Sequence, residues 1–96
     1  MRLLFRRAAK RDLQEARAWY ENERSGLGGE FREALEATLA RIVDHPELYP
    51  RVSDRIRRAP LRRFPYGIFY ILAGRTIRVV AVLHHARSPE RWQERR

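Results

Sequence analysis

Apolar residues recur every three or four positions through the first half of the chain, which is the spacing of one face of an α-helix. From about Ala8 this spacing joins four residues, Ala9, Leu13, Ala16 and Tyr20. Ser25-Gly26 follows, and glycine accepts the left-handed conformation that commonly ends a helix. The pattern therefore predicts an amphipathic helix from about Ala8 to Ser25-Gly26.

The same spacing returns after Gly28-Gly29 and stops at His45-Pro46, where proline disfavours the helical conformation of the residue before it. Its members are Phe31, Leu35, Thr38 and Ile42, with Ala34 and Leu39 widening the stripe. Two amphipathic helices joined by a short glycine-rich turn predict an antiparallel helical hairpin. Ahead of the hairpin, the short apolar run from Leu3 to Phe5 predicts a first strand.

After Pro50 the pattern changes to the alternation and β-rich composition of strands. Three strands are predicted, at Ile56 to Arg63, Gly67 to Leu72, and Thr76 to His85, with Gly74 in the last turn. Pro60 cannot donate to a ladder, which places the first of these three at a sheet edge. Ser88-Pro89 then fits an N-cap followed by a first helical proline, which predicts a short terminal helix containing Trp92.

The last strand is apolar on both of its predicted faces, which is typical of a central strand. Strict alternation groups Ile77, Val79, Ala81 and Leu83 on one face and Arg78, Val80, Val82 and His84 on the other. We therefore expect the first strand to pair with this last strand. Because a helical hairpin returns the chain to the end where strand one finished, we expect strand one to run antiparallel to strands two and four.

These elements predict an α+β fold of order β-α-α-β-β-β in two layers. An antiparallel sheet carries the helical hairpin on one face, and a short C-terminal helix closes the chain. The 96 residues form one domain, residues 1–96, because the chain is too short for two separate cores.

The net charge of +9 lies entirely in the second half of the chain. Residues 1–50 carry eight Arg and one Lys against nine acids, whereas residues 51–96 carry twelve Arg against three acids, which gives 12 − 3 = +9. A general preference for arginine explains the excess of Arg over Lys but not this asymmetry. The distribution favours a surface that binds an anionic partner, either an acidic protein or nucleic acid.

Several chemistries are excluded or disfavoured by composition. The chain has no cysteine, which removes disulfides, thiolate zinc sites and cysteine nucleophiles. Its three His lack chelating spacing, and its clustered glycines lack the strand and Lys of a phosphate loop. We expect neither a metal nor a cofactor. The N-terminal apolar run is too short for a signal peptide, so we expect a cytoplasmic location with no membrane partner.

The second half also carries a recognisable succession of motifs. The segments Leu61 to Tyr70 and Val80 to Pro89, followed by Trp92, resemble the ParE branch of the RelE/ParE toxin superfamily. The earlier agreements are Asp12 to Ala16, Trp19-Tyr20-Glu21, Gly26-Leu27-Gly28, Phe31 and Pro46 to Pro50. The resemblance implies a RelE-like fold and the toxin of a type II toxin–antitoxin pair, of the kind linked to plasmid stabilisation.

The partners of this chain are also implied by the resemblance. They are an acidic antitoxin, with which the toxin forms a higher-order complex, and DNA gyrase, which the free toxin inhibits. The binding surface is assigned to Arg57, Arg58, Arg62, Arg63, Arg78, Arg87 and Trp92. For Trp92 we favour a second role, as a hydrophobic latch for the terminal helix, and we expect Trp19 and Tyr20 to be core or helix–helix contacts.

The resemblance leaves open a second activity, ribosome-dependent cleavage of mRNA, which belongs to the RelE-like branch. Its candidate catalytic residues are His85, His84, Arg63, Arg87 and Tyr66. The nuclease branch carries an arginine at the position that Gly67 occupies here, and the adjacent histidines point to opposite faces of a strand. These departures favour a toxin without a nuclease site. A third alternative is a degenerate, non-toxic binding module.

Overall fold

The computed structural model describes residues 1–86 of the chain. Its elements are β1 (Arg2–Phe5), α1 (Arg7–Glu23), α2 (Leu27–Asp44), β2 (Arg51–Ser53), β3 (Ile56–Pro60), β4 (Tyr66–Ala73) and β5 (Thr76–His84). The α+β architecture predicted from the sequence is confirmed, with two helices packed on a five-stranded, mostly antiparallel sheet. The predicted helix at Ser88-Pro89 lies outside the described residues.

A tight turn holds the two helices against each other. The Glu21 carboxylate accepts hydrogen bonds from the backbone N–H groups of Gly26 and Gly28, both at 3.0 Å. Gly26 has φ of 90°, a conformation that glycine adopts at no steric cost. A Cβ on Gly28 would lie 2.8 Å from the carbonyl oxygen of Arg17, so the close approach of α1 and α2 requires glycine there.

The sheet has the order β1-β5-β4-β3-β2, and β1 pairs with β5 as predicted. The predicted direction is wrong, because β1 runs parallel to β5. The error comes from the short strand Arg51–Ser53, which the sequence pattern did not reveal and which pairs antiparallel with β3. One extra strand after the helical hairpin reverses the direction of every later strand, so the fifth strand runs the same way as the first.

The same missed strand corrects the predicted sheet edge. The strand containing Pro60 is not the edge, because β3 lies between β2 and β4. However, β2 pairs only with Ile56 and Arg57, so Pro60 lies beyond the paired stretch, where its missing N–H costs nothing.

A β-bulge changes the face assignment in β5. Tyr70 pairs with Val79 and Phe69 with Ala81, which leaves Val80 as the extra residue. Val79 and Val82 therefore pack in the core beneath the helices, while Val80, Ala81 and Leu83 belong to a second apolar cluster on the opposite face. The predicted strict alternation of Ile77, Val79, Ala81 and Leu83 fails beyond Val79 for this reason.

Two buried polar side chains tie the layers together. The Tyr70 hydroxyl donates to the carbonyl oxygen of Pro46 at 2.8 Å, which attaches β4 to the end of α2. The Asp12 carboxylate accepts the backbone N–H of Val82 at 3.0 Å, which attaches α1 to β5 beside the bulge. No helix among residues 1–86 is long and apolar enough to cross a bilayer.

Candidate functional site

Arg58 and Arg78 lie on the face of the sheet opposite the helices, which we call the open face. Arg58 pairs with Phe69, and Arg78 pairs with Ile71 and with Leu4 of β1. Cross-strand partners point to the same side of a sheet, and Phe69 and Ile71 belong to the apolar cluster away from the helices. These two predicted binding residues therefore share one surface.

Arg58 crosses over Gly67 on the neighbouring strand. A Cβ placed on Gly67 would lie 3.1 Å from Cγ and 3.3 Å from Cδ of Arg58, and 3.7 Å from Cε1 of His85. His85 is thus the histidine on the open face. Partial desolvation of its ring, followed by electrostatic interactions with Arg58 and with His84, lowers the pKa of His85 below its ordinary value. The imidazole is consequently mostly neutral at pH 7.

Arg57 is positioned as a structural residue rather than as part of the open face. Its guanidinium donates to the carbonyl oxygens of Glu47 at 3.1 Å and Tyr49 at 2.6 Å. These contacts tie β3 to the segment that follows α2. The side chain is half-buried, and its Nη1 group makes contacts within the fold.

Arg62 and Arg63 occupy the exposed turn between β3 and β4. Arg63 has φ of 71° and donates to the Glu30 carboxylate at 2.7 Å, and its guanidinium carbon lies 5.6 Å from the ring centroid of Phe64. Arg63, followed by Arg24, lowers the pKa of Glu30. The turn therefore leans toward α2, so the two arginines form a patch separate from that of Arg58 and Arg78.

Four of the five residues predicted for a nuclease lie among the described residues, and these four do not form one cluster. Tyr66 and His84 meet on the helix side of the sheet, with ring centroids 5.3 Å apart, whereas His85 lies on the open face. Arg63 is held by Glu30. Arg87, together with the predicted binding residue Trp92, lies outside the described residues.

A groove between α1 and the adjoining ends of β4 and β5 was missed by the sequence analysis. It has a volume of about 630 Å³, and its lining includes Asp12, Glu15, Trp19, Tyr20, Tyr66 and His84. Trp19 is 57 % exposed, so it is not a core residue, which was one of the two roles expected of it. A signal was present in the sequence: Asp12, Glu15 and Trp19 follow helical spacing on the flank of the apolar stripe.

The groove has a rigid aromatic floor. Tyr20 packs against Phe31 and Phe64 with centroid distances of 5.3 and 4.9 Å, and Tyr66 lies 5.2 Å from Phe31. Burial, followed by the proximity of Tyr66, raises the pKa of Tyr20, so its hydroxyl stays protonated at neutral pH. Within residues 1–86, no three His, Asp or Glu side chains are grouped to hold a metal ion.

Comparison with known proteins identifies the family. The model of the ParE toxin of the type II toxin–antitoxin system parDE matches residues 3–89. A structure described as the chromosomal ParDE system from P. aeruginosa has a TM-score of 0.64 and 18 % identity, covering 88 % of this chain and 95 % of the other. The isolated E. coli RelE toxin has a TM-score of 0.66 and 19 % identity, covering 97 % and 93 %.

A search of curated proteins found no match. The two solved structures agree with the fold of this chain, and the family model spans nearly its whole length. The chain belongs to the ParE toxin family of type II toxin–antitoxin systems.

Proposed function

We propose that this ParE-type toxin inhibits DNA gyrase when free and is neutralised in the cytoplasm by an acidic antitoxin. The family match over residues 3–89 carries the proposal. Gly67 supports a toxin without nuclease activity, because this strand position offers no cation of its own where the nuclease branch has arginine. Growth arrest on expression of the full chain, relieved by co-expression of a cognate antitoxin, is the expected result. An absence of any growth defect at high expression would indicate a non-toxic binding module instead.

The antitoxin surface is best supported on the open face. Arg58 is exposed and Arg78 half-exposed, and both are carried by paired strands, so a carboxylate meets cations that are already positioned. Charge-assisted contacts of this kind are frequently bidentate. The patch of Arg62 and Arg63 is a second contact for the same segment, because the exposed Glu30 ion pair is easily exchanged.

A matched pair of variants tests this surface. Arg58→Gln removes an exposed cation of the open face, whereas Arg57→Gln removes the donor that two carbonyl oxygens require. We expect Arg58→Gln to slow association with the antitoxin and reduce its salt dependence while thermal stability is kept. Arg57→Gln, in contrast, should lower the thermal stability of the protein. Association that does not change between low and high salt would contradict the account.

Ribosome-dependent mRNA cleavage is the second candidate, and one observation favours it. Arg58 reaches across Gly67 toward the neutral His85, so a cation from β3 lies beside a potential proton acceptor. Such a pair matches the base and the phosphate-stabilising cation that 2′-hydroxyl attack requires. Cell-free translation followed by primer extension distinguishes the candidates. Cleavage within codons that is abolished by His85→Ala or Arg58→Ala, but kept in His84→Ala, would establish the nuclease.

A further inference from the structure

We propose that the groove between α1 and the β4–β5 ends binds an arginine side chain carried by the antitoxin segment, an inference that rests on the proposed function. The occupant is thus a segment of mixed character, acidic where it meets the open face and cationic at this one anchor. Shape, charge and rigidity of the groove each support this occupant.

The shape of the groove suits a flat cation. Trp19 and Tyr20 meet edge to face at 86° with centroids 5.0 Å apart, and Tyr66 meets Tyr20 at 63° and 6.0 Å. The planes of these three rings are therefore differently oriented around one space, and the exposed Trp19 ring is the most accessible of them. A guanidinium group stacks on such faces and is attracted to them electrostatically. The volume of about 630 Å³ holds that side chain and its immediate neighbours on the segment.

Among the described residues, the carboxylates that line the groove contrast with the basic surface of the sheet. Glu15 supplies an exposed carboxylate, Asp12 adds a buried carboxylate that already accepts the Val82 N–H, and the described residues that line the groove include no Arg or Lys. This occurs in a chain whose net charge is +9. A purely acidic segment that fits the open face would be repelled here, whereas an arginine gains a carboxylate partner. The two surfaces together fix the register of one segment.

The groove is also preorganised to bind. Asp12 is fixed by the Val82 N–H at 3.0 Å, and the rings of Tyr20 and Tyr66 are held by the core beneath them. Trp19 is 57 % exposed at the rim. Exposed tryptophans beside formed pockets are frequent binding hot spots, because they bury a large area on association with little loss of entropy.

A peptide titration tests the proposal on the full-length chain. The probes are acetyl-Leu-Arg-Leu-amide and the same peptide with citrulline, which keeps the shape of arginine without its charge. The readout is the NMR indole N–H signal of Trp19, identified by its loss in Trp19→Phe. We expect saturable shifts with the arginine peptide and binding roughly fivefold or more weaker with citrulline.

Two variants with equal charge change provide the control. Glu15→Gln neutralises a carboxylate of the groove, whereas Glu23→Gln does the same at the exposed end of α1, outside the groove. Glu15→Gln should weaken the arginine peptide about fivefold and Glu23→Gln should leave it unchanged. Equal affinity for the two peptides, equal effects of the two variants, or the absence of any shift at Trp19 would overturn the inference.

The outcome separates this inference from the proposed function. If the chain proves non-toxic, the titration still reports whether the groove selects a guanidinium group. The chain could be toxic and bind an acidic antitoxin through Arg58 while Glu15→Gln leaves the antitoxin affinity unchanged. That result would refute the arginine anchor in the groove and leave the proposed toxin function intact. A tenfold or greater loss of antitoxin affinity in Glu15→Gln, with Glu23→Gln unchanged, would place the anchor in the groove.

Discussion

Replacing Gly28 by alanine should destabilise the protein, whereas the same change at the adjacent Gly29 should not. A Cβ on Gly28 would lie 2.8 Å from the Arg17 carbonyl oxygen and 2.9 Å from Oε1 of Glu21. The first atom is backbone and cannot swing away. The second accepts the Gly28 N–H, so its displacement also breaks a hydrogen bond. At Gly29 an added Cβ meets nothing within 4 Å.

The opposing free-energy contributions show whether each alanine substitution lowers or raises stability. Overpacking costs about 1–3 kcal/mol, and loss of the Glu21 hydrogen bond costs about 1 kcal/mol more. The higher helix propensity of alanine returns at most about 1 kcal/mol. Gly28→Ala should therefore lose about 1–3 kcal/mol of unfolding free energy, while Gly29→Ala should gain up to about 1 kcal/mol.

Urea denaturation followed by far-UV circular dichroism measures both variants, with an unchanged m-value showing that the two-state transition is kept. In a thermal scan, each kcal/mol corresponds to about 4–8 °C in a domain of this size. If Gly28→Ala is as stable as Gly29→Ala, the close contact of α1 and α2 does not limit the hairpin, and the reasoning fails.

Three further changes test the contacts that hold the layers together. Tyr70→Phe removes the hydroxyl that donates to Pro46 and should cost about 1 kcal/mol in urea denaturation; an unchanged midpoint would contradict this. Burial raises the pKa of Tyr70 to about 12. Since unfolded tyrosine titrates near pH 10, the stability from its protonated form is complete below about pH 10 and is lost as pH rises through about 12. The unfolding free energy of the unchanged protein should therefore fall between about pH 10 and about pH 12, and that of Tyr70→Phe should fall less. Urea denaturation repeated over a series of pH values measures both. Asp12→Ala leaves the Val82 N–H without its acceptor and should cost about 1–3 kcal/mol, whereas the exposed Glu15→Ala should change stability by less than about 0.5 kcal/mol; equal losses would refute this.

The helices and the long strands were predictable because their sequence periods are clear. Phe31, Leu35, Thr38 and Ile42 are all buried on one face of α2, as their spacing predicts. The direction of β1 was not predictable, because the three-residue strand Arg51–Ser53 carries no alternation of its own and forms only through pairing with β3. A strand that depends on its partner leaves no local signal in the sequence.

The site was less predictable than the fold. The charge asymmetry predicts a binding surface on the sheet segment, but it could not separate Arg57, whose Nη1 donates to backbone carbonyls, from Arg58, which is exposed. The groove was missed because Trp19 was expected to make core or helix–helix contacts, although it lies beside the apolar stripe of α1 and is exposed. The bulge at Val80 has no signature in the sequence, yet it decides which residues face the helices.

The most direct test of the proposed function is a pair of assays on one preparation of the purified full-length chain. DNA gyrase supercoiling and cell-free translation with primer extension are measured over the same range of toxin concentration. The account predicts that supercoiling is inhibited, that the antitoxin reverses the inhibition, and that the mRNA stays intact. Unaffected supercoiling together with mRNA cleavage that depends on His85 would contradict it.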